Sequence, residues 1–198
     1  LERVSKNRCK VGAPSKYYNS ELCSMIPSIL IFDNFYSNPL QVRNHALSLN
    51  FDTVGNYPGL RSCPEPQHQS EYLKSYFETE LLHFKTTDWH NTYNTCYQYT
   101  TEEAETWVHK DGMDWAGVLY LTPNAPVESG TGIYETDVED PNCNSLDDWT
   151  QIDSMGNKFN RLVLYRGGLQ HRSILPGFGT DKYTGRLFQT FFFNIGKT

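Results

Sequence analysis

His109-Lys110-Asp111-Gly112-Met113-Asp114-Trp115-Ala116-Gly117-Val118-Leu119-Tyr120-Leu121-Thr122 carries two signals in one short segment. Its first three residues put an imidazole and a carboxylate two positions apart. On an extended backbone, residues i and i+2 point to one face, so both side chains can reach a single metal ion. Trp115 to Thr122 then reads as a mixed apolar strand. His171, which follows the apolar run Leu162-Val163-Leu164-Tyr165 and the pair Gly167-Gly168, offers a second imidazole. Two histidines and one carboxylate cover one face of an octahedral ion and leave the opposite positions open. A His-x-Asp triplet is common by chance, so the surrounding pattern has to decide.

Outward from that segment the chain is rich in short strands. Thr92 to Thr100 alternates polar and aromatic residues, with Tyr93, Tyr97 and Tyr99 at odd positions. Thr131 to Glu135 is a short strand after Gly130, Arg161 to Tyr165 a strongly apolar one, and Leu187 to Asn194 another. Upstream, Ser28 to Phe32 reads as a buried strand ended by Asp33-Asn34. Ser37-Asn38-Pro39 is a helix start, with a capping residue before proline. Leu40 to Leu49 and residues 71 to 84 carry apolar residues at helical spacing. Residues 52 to 70, rich in Gly, Pro, Ser and Gln, read as a long loop containing Tyr57-Pro58-Gly59-Leu60-Arg61. Residues 136 to 158 are acidic and read as a surface insertion, and residues 1 to 24 as a polar arm. The order, two helical patterns and then several strands, predicts an α+β domain over residues 25 to 198 with a sheet sandwich or barrel.

The 198 residues suffice for one domain with a sizeable core. A mean hydropathy of -0.59 fits a soluble chain. No apolar run approaches the length needed to span a bilayer, and no leader pattern is visible near Leu1. With no Asn-x-Ser/Thr sequon as well, the expectation is a cytoplasmic protein without membrane contact. The net charge of -6 argues against tight non-specific binding to nucleic acid. Five cysteines, Cys9, Cys23, Cys63, Cys96 and Cys143, form no Cys-x-x-Cys, so neither a disulfide framework nor structural zinc is expected. The 13 Tyr and 11 Phe favour strands with large inward-facing rings.

Arg186 opens the last strand and shares a face with Phe188, Thr190 and Phe192 by period two. A guanidinium among rings is costly unless an anion pairs with it, and a carboxylate is its natural bidentate partner. With this residue the sequence resembles the 2-oxoglutarate- and Fe(II)-dependent oxygenases, in particular the prolyl-hydroxylase-like branch. The resemblance spans about residues 28 to 195. It is densest in Tyr99…His109-x-Asp111, Gly117-Val118-Leu119-Tyr120-Leu121, Gly130-Thr131-Gly132, Leu162-Val163-Leu164-Tyr165…His171 and Arg186…Thr190. It is closer still to a little-characterised subgroup that carries the Tyr-Pro-Gly-Leu-Arg loop.

The resemblance implies a double-stranded β-helix (jelly-roll) core with N-terminal supporting helices. It implies that His109, Asp111 and His171 hold Fe(II) and that Arg186 pairs with the distal carboxylate of the cosubstrate 2-oxoglutarate. Tyr120 falls where the family often places a tyrosine that hydrogen-bonds that carboxylate. Thr190 would face the same end of the pocket, and Tyr99 matches a pocket-lining tyrosine. The stretch Ser173 to Gly185 is longer than the family's usual spacing and is expected to loop out, while Arg172, directly after a ligand, would be poorly aimed. The implied activity is a dioxygenase, a hydroxylase that consumes 2-oxoglutarate and O2 and releases succinate and CO2. Its substrate would be a protein side chain, an amino acid or a small metabolite.

Plainer readings stand beside these. Tyr99, Tyr120 and Thr190 are also ordinary core types for strands, and Trp107 and Trp115 are expected to pack. Tyr57 and Arg61 either line the substrate entrance or form a structural turn. His45, His68, His83 and His90 are expected to be structural or exposed. A calcium site in the acidic stretch lacks the spacing of an EF-hand loop. Two rival functions remain: a cupin-like metalloenzyme without 2-oxoglutarate, which would not need Arg186, and a catalytically inactive binding protein on the same fold.

Overall fold

A computed structural model describes residues 27–55 and 57–196; the arm expected over residues 1 to 24 lies outside the described residues. The chain runs β1 (Ile29–Asp33), α1 (Pro39–Ser48), β2 (Thr53–Val54), β3 (Leu60–Arg61), α2 (Gln67–Tyr76), a π-helical turn (Phe77–Leu81), β4 (Thr86–Thr87) and β5 (Tyr97–Thr100). It continues through β6 (Trp115–Tyr120), β7 (Thr131–Glu135), β8 (Thr150–Met155), β9 (Arg161–Arg166), β10 (Gln170–Ser173) and β11 (Arg186–Ile195). The larger sheet has the order β1-β9-β6-β11-β5-β3-β2, with β4 beside the end of β11, and the smaller sheet the order β10-β7-β8. All these pairings are antiparallel.

Antiparallel strands usually alternate apolar and polar residues, because one face meets water. Here β6, β9 and β11 are nearly continuous apolar runs, since both faces of the larger sheet are covered. Leu119, Leu162, Leu164, Leu187, Phe191 and Phe193 pack with Ala46 and Leu73 of the helices. Their neighbours Ala116, Val118, Tyr120, Val163, Tyr165 and Phe188 face the smaller sheet, where Ile133 and Met155 close over them. The expected inward rings form an edge-to-face and tilted cluster on the helix side: Phe77 lies 4.9 Å from Phe191 and 5.1 Å from Trp89 between ring centres.

The first helix begins as its sequence predicts. Asn38 caps it by accepting from the Gln41 N–H, and Pro39 fills the first helical position. The second starts at Gln67, four residues inside the stretch read as loop, and that loop also holds the short strands β2 and β3. Thr92 to Thr100 yields a strand only from Tyr97. Asn91 and Asn94 bond locally, through Tyr93 N to Asn91 Oδ1 (3.1 Å) and Asn94 Nδ2 to Trp89 O (2.6 Å), and Thr95 takes a positive φ of 62°. Such side-chain bonds compete with a strand ladder. The acidic stretch is not wholly a loop either, because Thr150–Met155 pairs with β7 as the exposed edge of the smaller sheet. The opening strand β1 is a half-buried sheet edge rather than a buried strand.

Gly130, at the mouth of β7, lies directly on the backbone of Met155, and a Cβ there would collide with the Met155 carbonyl oxygen. Gly130→Ala is therefore expected to destabilise the fold by about 1–3 kcal/mol through overpacking, read as a lower urea midpoint at unchanged slope.

Candidate metal centre and its pocket

His109 and His171 meet across an antiparallel bridge between their backbones, each N–H donating to the other's carbonyl at 2.9 Å. The chain at Asp111 is fixed by its N–H, which donates to Gly167 O at 2.8 Å. Gly167 tolerates this approach because it carries no Cβ to strike Met113 O. The three side chains converge so that one ligand atom from each lies within 4.8 Å of the others. Asp111 Oδ2 is 3.2 Å from His171 Nε2, and Asp111 Oδ1 is 4.0 Å from His109 Nε2. Among the described residues this is the one such cluster.

Both imidazoles are oriented by the backbone. His109 Nδ1 is 3.1 Å from Trp107 O, and His171 Nδ1 is 2.9 Å from Leu169 O. A carbonyl only accepts, so each Nδ1 carries the proton and each Nε2 presents its lone pair to the cluster. Neutral imidazole nitrogens with one carboxylate suit a divalent first-row transition metal. The His109 ring is sandwiched by neighbours, 4.4 Å from Tyr57 and 4.3 Å from His171 between centres. Tyr165, buried, holds its ring tilted at 4.5 Å from that of His171, and burial pushes its hydroxyl pKa well above the phenol range.

Burial first, and repulsion from His171 second, hold the His109 imidazole below its ordinary pKa of 6.5. The folded apoprotein thus binds fewer protons there than the unfolded chain. Its stability is expected to be full above about pH 6.5 and to fall as pH drops below it, until His109 protonates in the fold as well. Urea midpoints of apoprotein from pH 7.5 down to 5 check this, and His109→Phe should flatten the profile.

The cluster opens into a cavity of about 560 Å³. Val118, Phe188, Thr190 and Phe192 of the larger sheet line one side, with Thr131 and His171 of the smaller sheet opposite. Arg186 lies in this cavity at 3% exposure. Its Nη2 donates to Thr131 Oγ1 at 3.3 Å, its Nε has no partner, and no carboxylate pairs with it among the described residues. The rings of Tyr120 and Phe188 each sit 5.4 Å from the guanidinium carbon. An orphaned buried guanidinium facing open space fits an anionic ligand.

The other residues singled out in the sequence divide. Tyr120 stands behind the wall, its hydroxyl 2.8 Å from Thr131 Oγ1. Thr190 lines the cavity, but its hydroxyl is taken up by Tyr93 O at 2.7 Å and Cys96 O at 3.2 Å. Tyr99 is a correction: it pairs with Leu187 and Leu60 on the helix side, where its ring meets Phe51 at 5.2 Å, away from the cavity. Period two puts the adjacent Gln98 in the cavity instead. Trp115 packs as expected, whereas Trp107 lines the cavity beside Tyr57. Arg172 also lines it, at 2% exposure, but donates from Nε and Nη2 to Thr106 Oγ1 at 3.2 and 3.0 Å. His45 and His90 pair with Glu65 and Glu71, away from the cluster. Thr131 and Tyr165 were not foreseen as site residues. Thr131 had a signal, its place between two glycines; Tyr165 sat unremarked in an apolar run.

No protein-family model and no curated protein matches the sequence. Solved structures do match. A prolyl hydroxylase from Trichoplax adhaerens, in complex with a hypoxia inducible factor peptide fragment, superposes with a TM-score of 0.53 at 14% identity, covering 84% of this chain and 83% of that one. HygX from Streptomyces hygroscopicus, with nickel and 2-oxoglutarate bound, gives 0.54 at 10% identity, covering 90% and 86%. The same protein with hygromycin B also bound gives 0.52 at 12% identity over 83% and 81%. The chain therefore shares the fold of these structures, an α+β architecture of the double-stranded β-helix type. Among the described residues no helix is long and apolar enough to cross a membrane.

Proposed function

We propose that this chain is an Fe(II)- and 2-oxoglutarate-dependent dioxygenase that hydroxylates a C–H bond. The observation that carries the reading is the orphaned, buried guanidinium of Arg186 in the same cavity as the His109–Asp111–His171 cluster. A metalloenzyme that used no anionic cosubstrate would have no need of that cation.

His109 Nε2, Asp111 and His171 Nε2 would hold the metal. Arg186 and the Thr131 hydroxyl would take the distal carboxylate of 2-oxoglutarate, with Tyr120 fixing the Thr131 hydroxyl from behind. Bound Fe(II), with 2-oxoglutarate and O2, supplies oxidative C–H hydroxylation with release of succinate and CO2. The chain's part is orientation and exclusion of water. Trp107 O and Leu169 O lock the imidazole tautomers. Tyr57 and Tyr165 wall the two ligand rings, and Val118, Phe188 and Phe192 keep the floor apolar.

Anaerobic optical titration of the apoprotein with Fe(II) and then 2-oxoglutarate tests this. The expected result is a weak visible charge-transfer band that needs both additions and is absent from His109→Ala. Metal uptake without a band would sink the 2-oxoglutarate assignment and favour a cupin-like metalloenzyme; failure to take up metal would favour a binding protein on this fold.

A further inference from the structure

Arg186 is not the only buried cation in the cavity without an acidic partner. Arg61, in β3, is 6% exposed and lines the same space. It faces the cavity because of register: Arg61 lies opposite Gln98, Gln98 opposite Phe188, and Phe188 opposite Tyr120, one row across the sheet. Its guanidinium lies against the backbone at Gly55 and 5.3 Å from the centre of the Tyr93 ring. Among the described residues its hydrogen bonds are two approaches to Tyr57 O at 3.5 Å, at the outer limit for such a bond. No carboxylate pairs with it among the described residues. Arg172, by contrast, already uses Nε and Nη2 on Thr106.

A guanidinium withdrawn from water and left this weakly bonded is held for an anion. Arg186 accounts for the cosubstrate's distal carboxylate, so Arg61 is left for another ligand. Its position relates it to the metal cluster. Tyr57 touches Arg61 through its carbonyl and covers His109 with its ring, while its hydroxyl accepts from Ser173 N–H at 3.1 Å. One tyrosine residue thus separates Arg61 from a candidate metal ligand.

We propose that Arg61 is the anchor for a carboxylate on the primary substrate, so that the enzyme's substrates are small carboxylic acids gripped at the acid end. The inference rests on the oxygenase reading for the site of reaction, and the binding test is also run without Fe(II) and 2-oxoglutarate so that acid binding is read independently of it. The full chain is loaded with Fe(II) and 2-oxoglutarate without oxygen and titrated with acetate, benzoate and N-acetylglycine against their amides. Thermal shift is the readout. The expected result is saturable stabilisation by at least one acid and none by its amide, with affinity reduced about tenfold or more in Arg61→Met. The charge-transfer titration should give an unchanged 2-oxoglutarate affinity in that variant. Repeating the acid titration in Arg186→Met separates the two readings, because acid binding that persists there does not come from the 2-oxoglutarate anchor; loss of 2-oxoglutarate binding alone leaves the Arg61 result standing. The proposal is overturned by equal binding of acid and amide, by no binding of any acid at millimolar concentration, by retention of acid binding in Arg61→Met with loss in Arg172→Met, or by a several-degree fall in the melting temperature of the Arg61→Met apoprotein. The last result would make Arg61 a structural residue.

Discussion

Arg186→Met is expected to weaken 2-oxoglutarate binding by at least about 30-fold while leaving the apoprotein as stable as the parent, or more so. The two effects have opposite signs for one reason. In the apoprotein the guanidinium has one hydrogen bond, at 3.3 Å to Thr131, and an orphaned Nε, on a face shared with Tyr120 and Phe188. Replacing even a buried ion pair by well-packed apolar residues is often neutral or stabilising by about 1–4 kcal/mol, and an uncompensated charge has less attraction to lose. Methionine suits such an irregular apolar gap. Thr131 keeps its bond to Tyr120 at 2.8 Å, so no second polar group is stranded. In the proposed complex the same cation would neutralise the cosubstrate's carboxylate, and truncating one member of a buried charge pair costs about 2–5 kcal/mol. The Kd for 2-oxoglutarate from the charge-transfer band and the urea midpoint of apoprotein measure the two halves. A loss of stability with unchanged affinity would falsify the cosubstrate role and make Arg186 a structural residue.

Metal binding should collapse in His171→Ala. Disrupting an outer partner of a ligand typically costs about 10–100-fold in affinity, and removing the ligand itself should exceed that. His171 is buried and its ring is fixed by Leu169 O, and among the described residues no fourth His, Cys or carboxylate joins the cluster. Hydroxylation and the charge-transfer band should fall to background. Competition against a chromophoric chelator gives the affinity, and His90→Ala, an exposed histidine paired with Glu71, serves as the control that should bind metal like the parent. Retention of parent-like affinity in His171→Ala would place the metal elsewhere.

Much of this was legible in local chemistry. Apolar runs at 115–122, 161–165 and 187–194 read as strands. Asn38-Pro39 had to start a helix, because the cap and the missing proline N–H satisfy its first turn. His109 and Asp111 had to share a face if the backbone was extended. The alternation of Arg186 with Phe188, Thr190 and Phe192 placed one cation among rings and so pointed to an anion. These inferences rest on periods of two and on capping, which act over a few residues and leave a trace in any single sequence.

What lay beyond the sequence depended on contacts between distant segments. Tyr99 looked like a site residue by its spacing, but the register of β5 against β11 turned it to the helices and brought Gln98 to the cavity. The imidazole tautomers were set by the carbonyls of Trp107 and Leu169, which no side-chain pattern reports. The strand at Thr150–Met155 formed in an acidic, polar stretch because β7 offered it an open edge, and the ladder needs only backbone groups. Arg61 became a buried cation only when β3 docked on β5 and Tyr57 came to rest on His109. The sequence by itself determined the apolar strands β6, β9 and β11, the start of the first helix and the candidate metal-ligating residue types, because each follows from neighbours along the chain. Only the tertiary structure decided which face each tyrosine meets and which arginines are left without a counter-charge, because those depend on register and on what lies across the cavity.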